Sequence, residues 1–259
     1  MARTYVITGA ASGIGKATAE LLEGRGHTVI GIDLHGADVE ADLTTADGRG
    51  GLADAVREKA PDGIDAVVAV AGLAHPVPAT VAVNYFGMVA TLENLRPLLL
   101  GSPAPRAAGV ASMASLQPHD AELVEAMLAG DEPRSLARAE VLAADEQTGQ
   151  LIYGSTKAAF ARWIRRNAAG PDWAGASIPL NAVAPGIIRT PMTEGMIATE
   201  EAAQELLKIV PMPLNGIAEP AVVAHLLAWL TSEENSHLCG QVVFVDGGSD
   251  VVIRGDSVW

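Results

Sequence analysis

The chain of 259 residues carries one cysteine, Cys239. It can form no intrachain disulfide and no cysteine-based metal cluster, and a cytoplasmic location is expected. Positive charge is scarce: 17 Lys and Arg stand against 31 Asp and Glu, a net charge of -14. The acidic residues are scattered, so the expected surface is broadly acidic and solvated. Such a surface repels nucleic acid and anionic membrane, and neither is expected as a partner. No apolar stretch approaches the ~18 residues needed to span a bilayer. The N-terminus leads directly into Thr4-Tyr5-Val6-Ile7, without the basic and apolar regions of a signal peptide, and none is expected. Aromatics amount to 4%, and Trp163, Trp173 and Trp229 read as packing residues rather than a stacking platform for bases. His75, His119, His225 and His237 show no metal-ligand spacing, so no metal is expected.

What the chain does have is apolar residues, at 49%, most of them small aliphatics. These suit closely packed helix–sheet layers. Tyr5–Thr8, Thr28–Asp33, Ala66–Val70, Ala108–Ser112, Leu180–Ala184 and Val242–Val245 read as strands without polar alternation. Gly15–Gly24, Gly50–Lys59, Val83–Leu100, Tyr153–Ala168 and Pro220–Thr231 read as the helices between them. Buried strands separated by amphipathic helices predict a parallel sheet with helices on both faces, a doubly wound α/β fold of Rossmann type. With no internal repeat and no low-complexity linker, residues 1–259 are expected to form a single domain. Two segments interrupt the alternation. The first, about 116–150, is a helical insertion with patterns at Glu122–Leu128 and Ser135–Ala144. The second, about 191–215, holds Met192, Met196, Met212 and three prolines. Both follow strands, on the side where open α/β sheets bind ligands.

The first strand runs into Thr8-Gly9-Ala10-Ala11-Ser12-Gly13-Ile14-Gly15, and a helix follows. Glycines here permit positive φ and close approach of a ligand. The helix start offers free N–H groups and a positive dipole end to a pyrophosphate. The spacing is neither G-x-G-x-x-G nor a Walker A loop; Gly15-Lys16 mimics the end of the latter, but Ala17 replaces its hydroxyl. Asp33 closes the second strand, where a carboxylate can accept both hydroxyls of an adenosine ribose and repel a 2′-phosphate. No Arg or Lys stands at Ser12, Leu34 or His35 to hold that phosphate. The expected cofactor is therefore NAD rather than NADP.

Tyr153-Gly154-Ser155-Thr156-Lys157 places a phenol and an ammonium four residues apart, on one face of a helix. Hydride leaves a carbinol carbon only as the hydroxyl proton is withdrawn. A phenol with a pKa near 10 is a poor base at neutral pH. A cation about 5 Å away, at an effective dielectric of about 20, contributes roughly 3 kcal/mol. That is enough to lower the phenol's pKa by about two.

These residues, taken in order, resemble the short-chain dehydrogenase/reductase family along essentially the whole chain. The likeness rests on Thr8–Gly15, Asp42-Leu43, Ala71-Gly72, Asn84, Ser112, Tyr153/Lys157, Asn181, Pro185-Gly186 and Asp246-Gly247-Gly248. It implies that Tyr153 is the general acid/base, that Lys157 lowers its pKa and bonds the nicotinamide ribose, and that Ser112 bonds the reacting oxygen. It implies that Asn84 kinks its helix and holds a water of a proton relay. The implied cofactor-binding set is Gly9, Ser12, Gly13, Ile14, Gly15, Asp33, Asp42, Leu43, Ala71, Gly72, Tyr153, Lys157, Pro185, Gly186, Ile188 and Thr190. Within it, Asp42 and Leu43 flank adenine, and Pro185–Thr190 cradles the carboxamide. There are departures. Ala69-Val70-Ala71-Gly72 replaces the usual N-N-A-G, and Ala111-Ser112-Met113-Ala114-Ser115 offers two serines. Alignment on S-S-x-A-S selects Ser112 and leaves Ser115 as a structural cap.

The interval from Ser112 to Tyr153 is much longer than in most members. It resembles that of a bacterial subgroup, the 3α-hydroxysteroid dehydrogenase/carbonyl reductases, as do Gly31-Ile32-Asp33, Ala41–Thr44 and Val83–Gly87. The resemblance implies an insertion lying over the usual helix–helix dimer interface and a homodimer, or a homotetramer, formed differently. The Met-rich segment resembles a lid, and methionines adapt to irregular apolar ligands. The expected reaction interconverts a secondary, or aromatic primary, alcohol and its carbonyl. A hydroxysteroid, a terpenoid or an aromatic alcohol of coniferyl type would serve as the hydrophobic substrate. Two other readings stay open: a non-catalytic NAD-sensing protein, and an epimerase or dehydratase of the wider superfamily.

Overall fold

Strands built from Val, Ile and Ala with no polar face must be covered on both sides. The computed structural model describes residues 2–258 and shows that arrangement. The chain opens with β1 (Thr4–Thr8), α1 (Gly13–Gly24), β2 (Thr28–Asp33) and a short β3 (Val39–Glu40). Next come α2 (Ala46–Gly50), α3 (Leu52–Lys59), β4 (Ala66–Ala69) and α4 (Pro78–Val81). A π-helical turn, Ala82–Gly87, joins α4 to α5 (Met88–Leu99), and β5 (Arg106–Val110) follows. The insertion forms α6 (Ala121–Leu128), α7 (Glu132–Ala143) and α8 (Glu146–Gly149), leading into α9 (Leu151–Asn167). The remainder is β6 (Leu180–Pro185), α10 (Glu200–Ile209), α11 (Pro220–Leu230), β7 (Val242–Val245) and α12 (Ser249–Arg254).

The strands form one sheet in the order β3-β2-β1-β4-β5-β6-β7, with every pairing parallel. β1 is flanked by β2 and β4, through Thr4↔Thr28 and Tyr5↔Ala66. The crossover direction reverses there, so the C-terminal ends of these strands open a crevice. Side chains alternate across the sheet. Val6 and Val67 face a core with Met88, Leu92, Leu95 and Phe160. Tyr5, Ile7 and Val68 face Leu22 of α1 and Val223 and Leu227 of α11. Burying one such aliphatic side chain is worth roughly 1.5–3 kcal/mol.

Two features position α9. At Gly109 of β5, an added Cβ would lie 2.5 Å from Cζ of Phe160. The absent side chain lets that ring rest directly on the sheet and sets the height of the helix. On the outer side, the insertion packs Leu123, Val124, Met127, Ala139 and Leu142 into the same core. Its helices are capped by the carboxylates of Asp120, Asp131 and Asp145. Arg138 grips Asp120 through two contacts, and Arg49 of α2 grips Glu132 through two more. α7 begins before the expected Ser135 because Asp131 and Pro133 form a helix start.

The structure adds elements that periodicity alone did not indicate. α10 lies within the Met-rich segment, capped by Thr199. β3 has two residues, α8 four and α12 six, all too short for a periodic signal. The helix expected at Val83–Leu100 runs from Pro78 to Leu99, with Ala82–Gly87 wound as a π turn. Trp163 and Trp173 are buried, whereas Trp229, expected to pack, is 41% exposed on α11. Among the described residues no helix is long and apolar enough to cross a membrane.

Candidate active site

The cradle begins where β1 stops. The Thr8 hydroxyl accepts the N–H groups of Val70 at 3.0 Å and Ala71 at 3.2 Å, tying the ends of β1 and β4 together. Gly9 has φ +70, and a Cβ there would meet the Ala71 backbone at 3.0 Å. A Cβ at Gly15 would lie 2.1 Å from the Gly9 carbonyl oxygen. The turn thus folds back on itself more tightly than any side chain allows. Ser12 precedes α1 without a side-chain cap, which leaves the first-turn N–H groups facing the cleft.

Asp33, at the end of β2, accepts the Ala11 N–H at 2.9 Å and the Leu34 N–H at 2.7 Å, one on each carboxylate oxygen. Those bonds hold the carboxylate at the rim of the crevice, and each oxygen keeps a further lone pair. All of the expected cofactor-binding residues, from Gly9 to Thr190, line a single cleft of about 300 Å³. Ser112 and Asn84 stand behind that lining. The cleft also includes Leu34, Thr44, Leu73 and Val83 and the start of the second interruption, Pro191, Met192 and Thr193. Leu34 and Leu73 each directly follow an expected contact residue, Thr44 and Val83 lie in stretches that carry the family likeness, and Pro191–Thr193 opens the expected lid.

At the other end of the cleft, Tyr153 and Lys157 share the inner face of α9. Lys157 is buried, its ammonium donates to the Val110 carbonyl at 2.9 Å, and it sits 5.7 Å from the centre of the Tyr153 ring. Burial pulls its pKa from 10.5 down to about 8. Burial also pushes the Tyr153 phenol above its ordinary value, with the Ser112 hydroxyl acting in the opposite sense. The expected lowering of Tyr153 by Lys157 is therefore not what this arrangement produces. Desolvation of the phenolate outweighs the Ser112 hydrogen bond, and the ammonium is directed at the Val110 carbonyl.

Ser112 follows β5, and its hydroxyl accepts the Ala114 N–H at 3.1 Å, capping a short 3₁₀ turn. The expected division of labour between the two serines is thereby corrected. Ser112 is both the cap and the neighbour of Tyr153, while the Ser115 N–H only donates to the Ser112 carbonyl. Asn84 is fully buried in the π turn. Its carboxamide accepts the Leu73 N–H at 2.7 Å and donates to the Leu73 carbonyl at 2.8 Å and to Thr156 at 3.3 Å. The kink expected at Asn84 is thus the π turn, and the side chain fastens the loop after β4 to α9. Gly72 lies between them: a Cβ there would be 3.2 Å from Asn84 Oδ1 and 3.8 Å from Lys157 Nζ.

The loop after β6 completes the wall. Ile188 bridges to Ala218, and Thr193 donates its hydroxyl to the Ile188 carbonyl while accepting the Thr190 N–H. The methyl of Thr190 comes within 3.2 Å of a Cβ built at Gly13. The loop after β6 therefore lies close against the turn before α1, with no room there for a side chain. A helix-start cradle and a rim carboxylate at one end of the cleft, with a Tyr–Ser–Lys group at the other, would suit an extended dinucleotide.

Residues 121–250 match the family described as Enoyl-(Acyl carrier protein) reductase. The 3-alpha-hydroxysteroid dehydrogenase/carbonyl reductase of Comamonas testosteroni is 37% identical over 254 residues, which cover 96% of this chain and 97% of that one. The Cis-4-hydroxycyclohexanecarboxylate dehydrogenase of Sinomonas cyclohexanicum is 31% identical, over 96% and 97% of the two chains. The crystal structure of the 3-alpha-hydroxysteroid dehydrogenase from Pseudomonas sp. B-0831 complexed with NADH superposes with a TM-score of 0.88 at 41% identity, over 98% and 99% of the chains.

Proposed function

The chain belongs to the short-chain dehydrogenase/reductase family, and we propose that it interconverts a hydrophobic secondary alcohol and its carbonyl using NAD(H). The observation that carries this reading is a single cleft with the Asp33 carboxylate at one end and Tyr153 and Lys157 at the other. When bound, the nicotinamide supplies or accepts the hydride. Asp33 would take the adenosine ribose hydroxyls and disfavour a 2′-phosphate. The cradle Gly9–Gly15 would take the pyrophosphate, and Pro185–Thr190 the carboxamide end.

The chain's own part in the chemistry is proton handling. Ala114 N–H holds the Ser112 oxygen beside the Tyr153 phenol, from where the Ser112 hydroxyl would turn to donate to the reacting oxygen of the substrate. The Tyr153 phenol, protonated at neutral pH, gives its proton to the same oxygen as a carbonyl is reduced. Such general acid catalysis is worth on the order of 10²–10⁴ in rate. Lys157 sets the local charge, and Asn84 holds Leu73 and Thr156 in place around it. In the opposite direction the phenol must first ionise, so alcohol oxidation gains with rising pH and carbonyl reduction runs near neutrality.

Substrate class follows from the walls beside Ser112. The apolar side chains of Leu73, Ile188, Pro191 and Met192 line the cleft with Tyr153, and Met113, Ile187 and Met212 form a buried apolar cluster. A bulky apolar ketone fits these surroundings, and a small polyol leaves them unsatisfied. Because the insertion packs against α9, self-association as a homodimer would use another face. The test is a panel of hydroxysteroids, monocyclic terpenoid alcohols, aromatic alcohols and small polyols, with the matching ketones, followed by NADH absorbance, with Tyr153→Phe as control. Turnover of bulky apolar compounds with NADH, lost in Tyr153→Phe, is expected. Activity confined to polyols, or a preference for NADPH that Asp33→Ala leaves unchanged, would refute the reading.

A further inference from the structure

Met212 stands between Pro211 and Pro213. A residue before proline is kept out of the helical region, so α10 must stop at Ile209 and the chain must leave it extended. From there the Met212 side chain turns inward and is 6% exposed. Its sulfur accepts the Ile187 N–H at 3.2 Å. Among the described residues this is the bond that satisfies that N–H, and Ile187 is itself 6% exposed. Gly186 supplies the socket: a Cβ there would lie 2.9 Å from both Sδ and Cε of Met212. The same thioether belongs to the apolar cluster that holds Met113, next to Ser112, and Leu206 of α10. The Met212 side chain therefore contacts the loop after β6 and shares one buried cluster with Met113 of the Ser112 turn and Leu206 of α10.

We propose that Met212 is a positioning residue for hydride transfer: its sulfur fixes the Gly186–Ile187 backbone and relays the seating of α10 to it. The inference rests on the dehydrogenase reading above, since it assigns that backbone to the nicotinamide end of the cleft. A thioether is a weak acceptor on a long, adaptable side chain. It can satisfy the amide without drawing water into an apolar wall, and it yields when α10 shifts.

The test compares Met212→Leu, which keeps the volume and removes the acceptor, with Met212→Gln, which restores one. In the ligand-free protein, amide exchange at Ile187 is expected to rise about tenfold in Met212→Leu, as for loss of one buried hydrogen bond. With NADH and a ketone identified by the panel, kcat is expected to fall about tenfold, with a larger isotope effect from C4-deuterated NADH. ADP-ribose, which lacks the nicotinamide, should bind as in the parent. Met212→Gln should recover much of both the exchange protection and kcat. Parent-like Ile187 exchange and isotope effect in Met212→Leu would overturn the proposal. So would equal losses in both variants, or weakened ADP-ribose binding, since each marks a packing role alone. A parent that turns over no ketone would sink the dehydrogenase reading, while Ile187 exchange would still decide whether the sulfur fixes that amide.

Discussion

Replacing Lys157 by Met should make the protein more stable while destroying its activity. The side chain is 4% exposed and its pKa is about 8, against 10.5 for a free ammonium. That difference corresponds to about 3 kcal/mol against carrying the charge. The hydrogen bond to Val110 offsets about 1 kcal/mol of it. Lys157→Met keeps the length and packing and removes the buried charge, so a gain of about 2 kcal/mol is expected at pH 7. The sign of the pH dependence is fixed by linkage. Below about pH 8 the ammonium is charged in both folded and unfolded chains, and the parent carries the whole penalty. Between about 8 and 10.5 the folded parent releases its proton while the unfolded chain keeps it, so the parent gains stability and the gap closes. Urea unfolding of both proteins between pH 7 and pH 10 measures this, because groups remote from Lys157 cancel in the difference. Turnover should fall at least about 10²-fold throughout. A variant less stable than the parent at pH 7, or a gap that stays constant to pH 10, would show that Lys157 does not bear a desolvation cost.

Three further substitutions test the site. Ser112→Ala removes both the neighbour of Tyr153 and the cap on the Ala114 N–H, so a loss of about 1 kcal/mol in stability and about 10²-fold or more in kcat is expected. Ser115→Ala should change neither by a measurable amount, and the reverse result in urea unfolding and steady-state kinetics would exchange the roles of the two serines. Gly15→Ala forces a Cβ onto the Gly9 carbonyl. NADH binding, followed by fluorescence titration, should be abolished, and wild-type affinity would refute the tight return of the turn.

Much of this could be read from the chain because its signals are local. Strands such as Ala66–Ala69 are continuous apolar runs, and the parallel order follows from their alternation with helices. The cradle and the Tyr–Lys pair are each contained within a few consecutive residues, and the structure gathers them around one cleft. What could not be read depends on distant parts of the chain meeting. Whether Lys157 lowers the Tyr153 phenol is a contest between charge and burial, and burial is invisible in spacing. Ser112 was separated from Ser115 by alignment, but its capping of Ala114 emerges only from the turn after β5. Met212 gave a compositional hint of an apolar pocket. Its bond to Ile187 joins residues from two segments that periodicity left without structure.

The insertion can also be viewed through polymer statistics. It lies in the longest excursion of the sheet, between β5 and β6, which are direct neighbours. Closing a loop costs free energy only as the logarithm of its length. Lengthening this connection from about 40 to about 70 residues therefore adds about 0.5 kcal/mol. The contacts of α6 and α7 with α9, and the double grip of Arg49 on Glu132, outweigh so small a charge. An excursion already long enough to hold one helix can accept three more almost without thermodynamic penalty, provided they bring their own apolar faces. The β5–β6 connection is thus the place where this architecture can acquire a new surface while the sheet and the cleft beneath it stay unchanged.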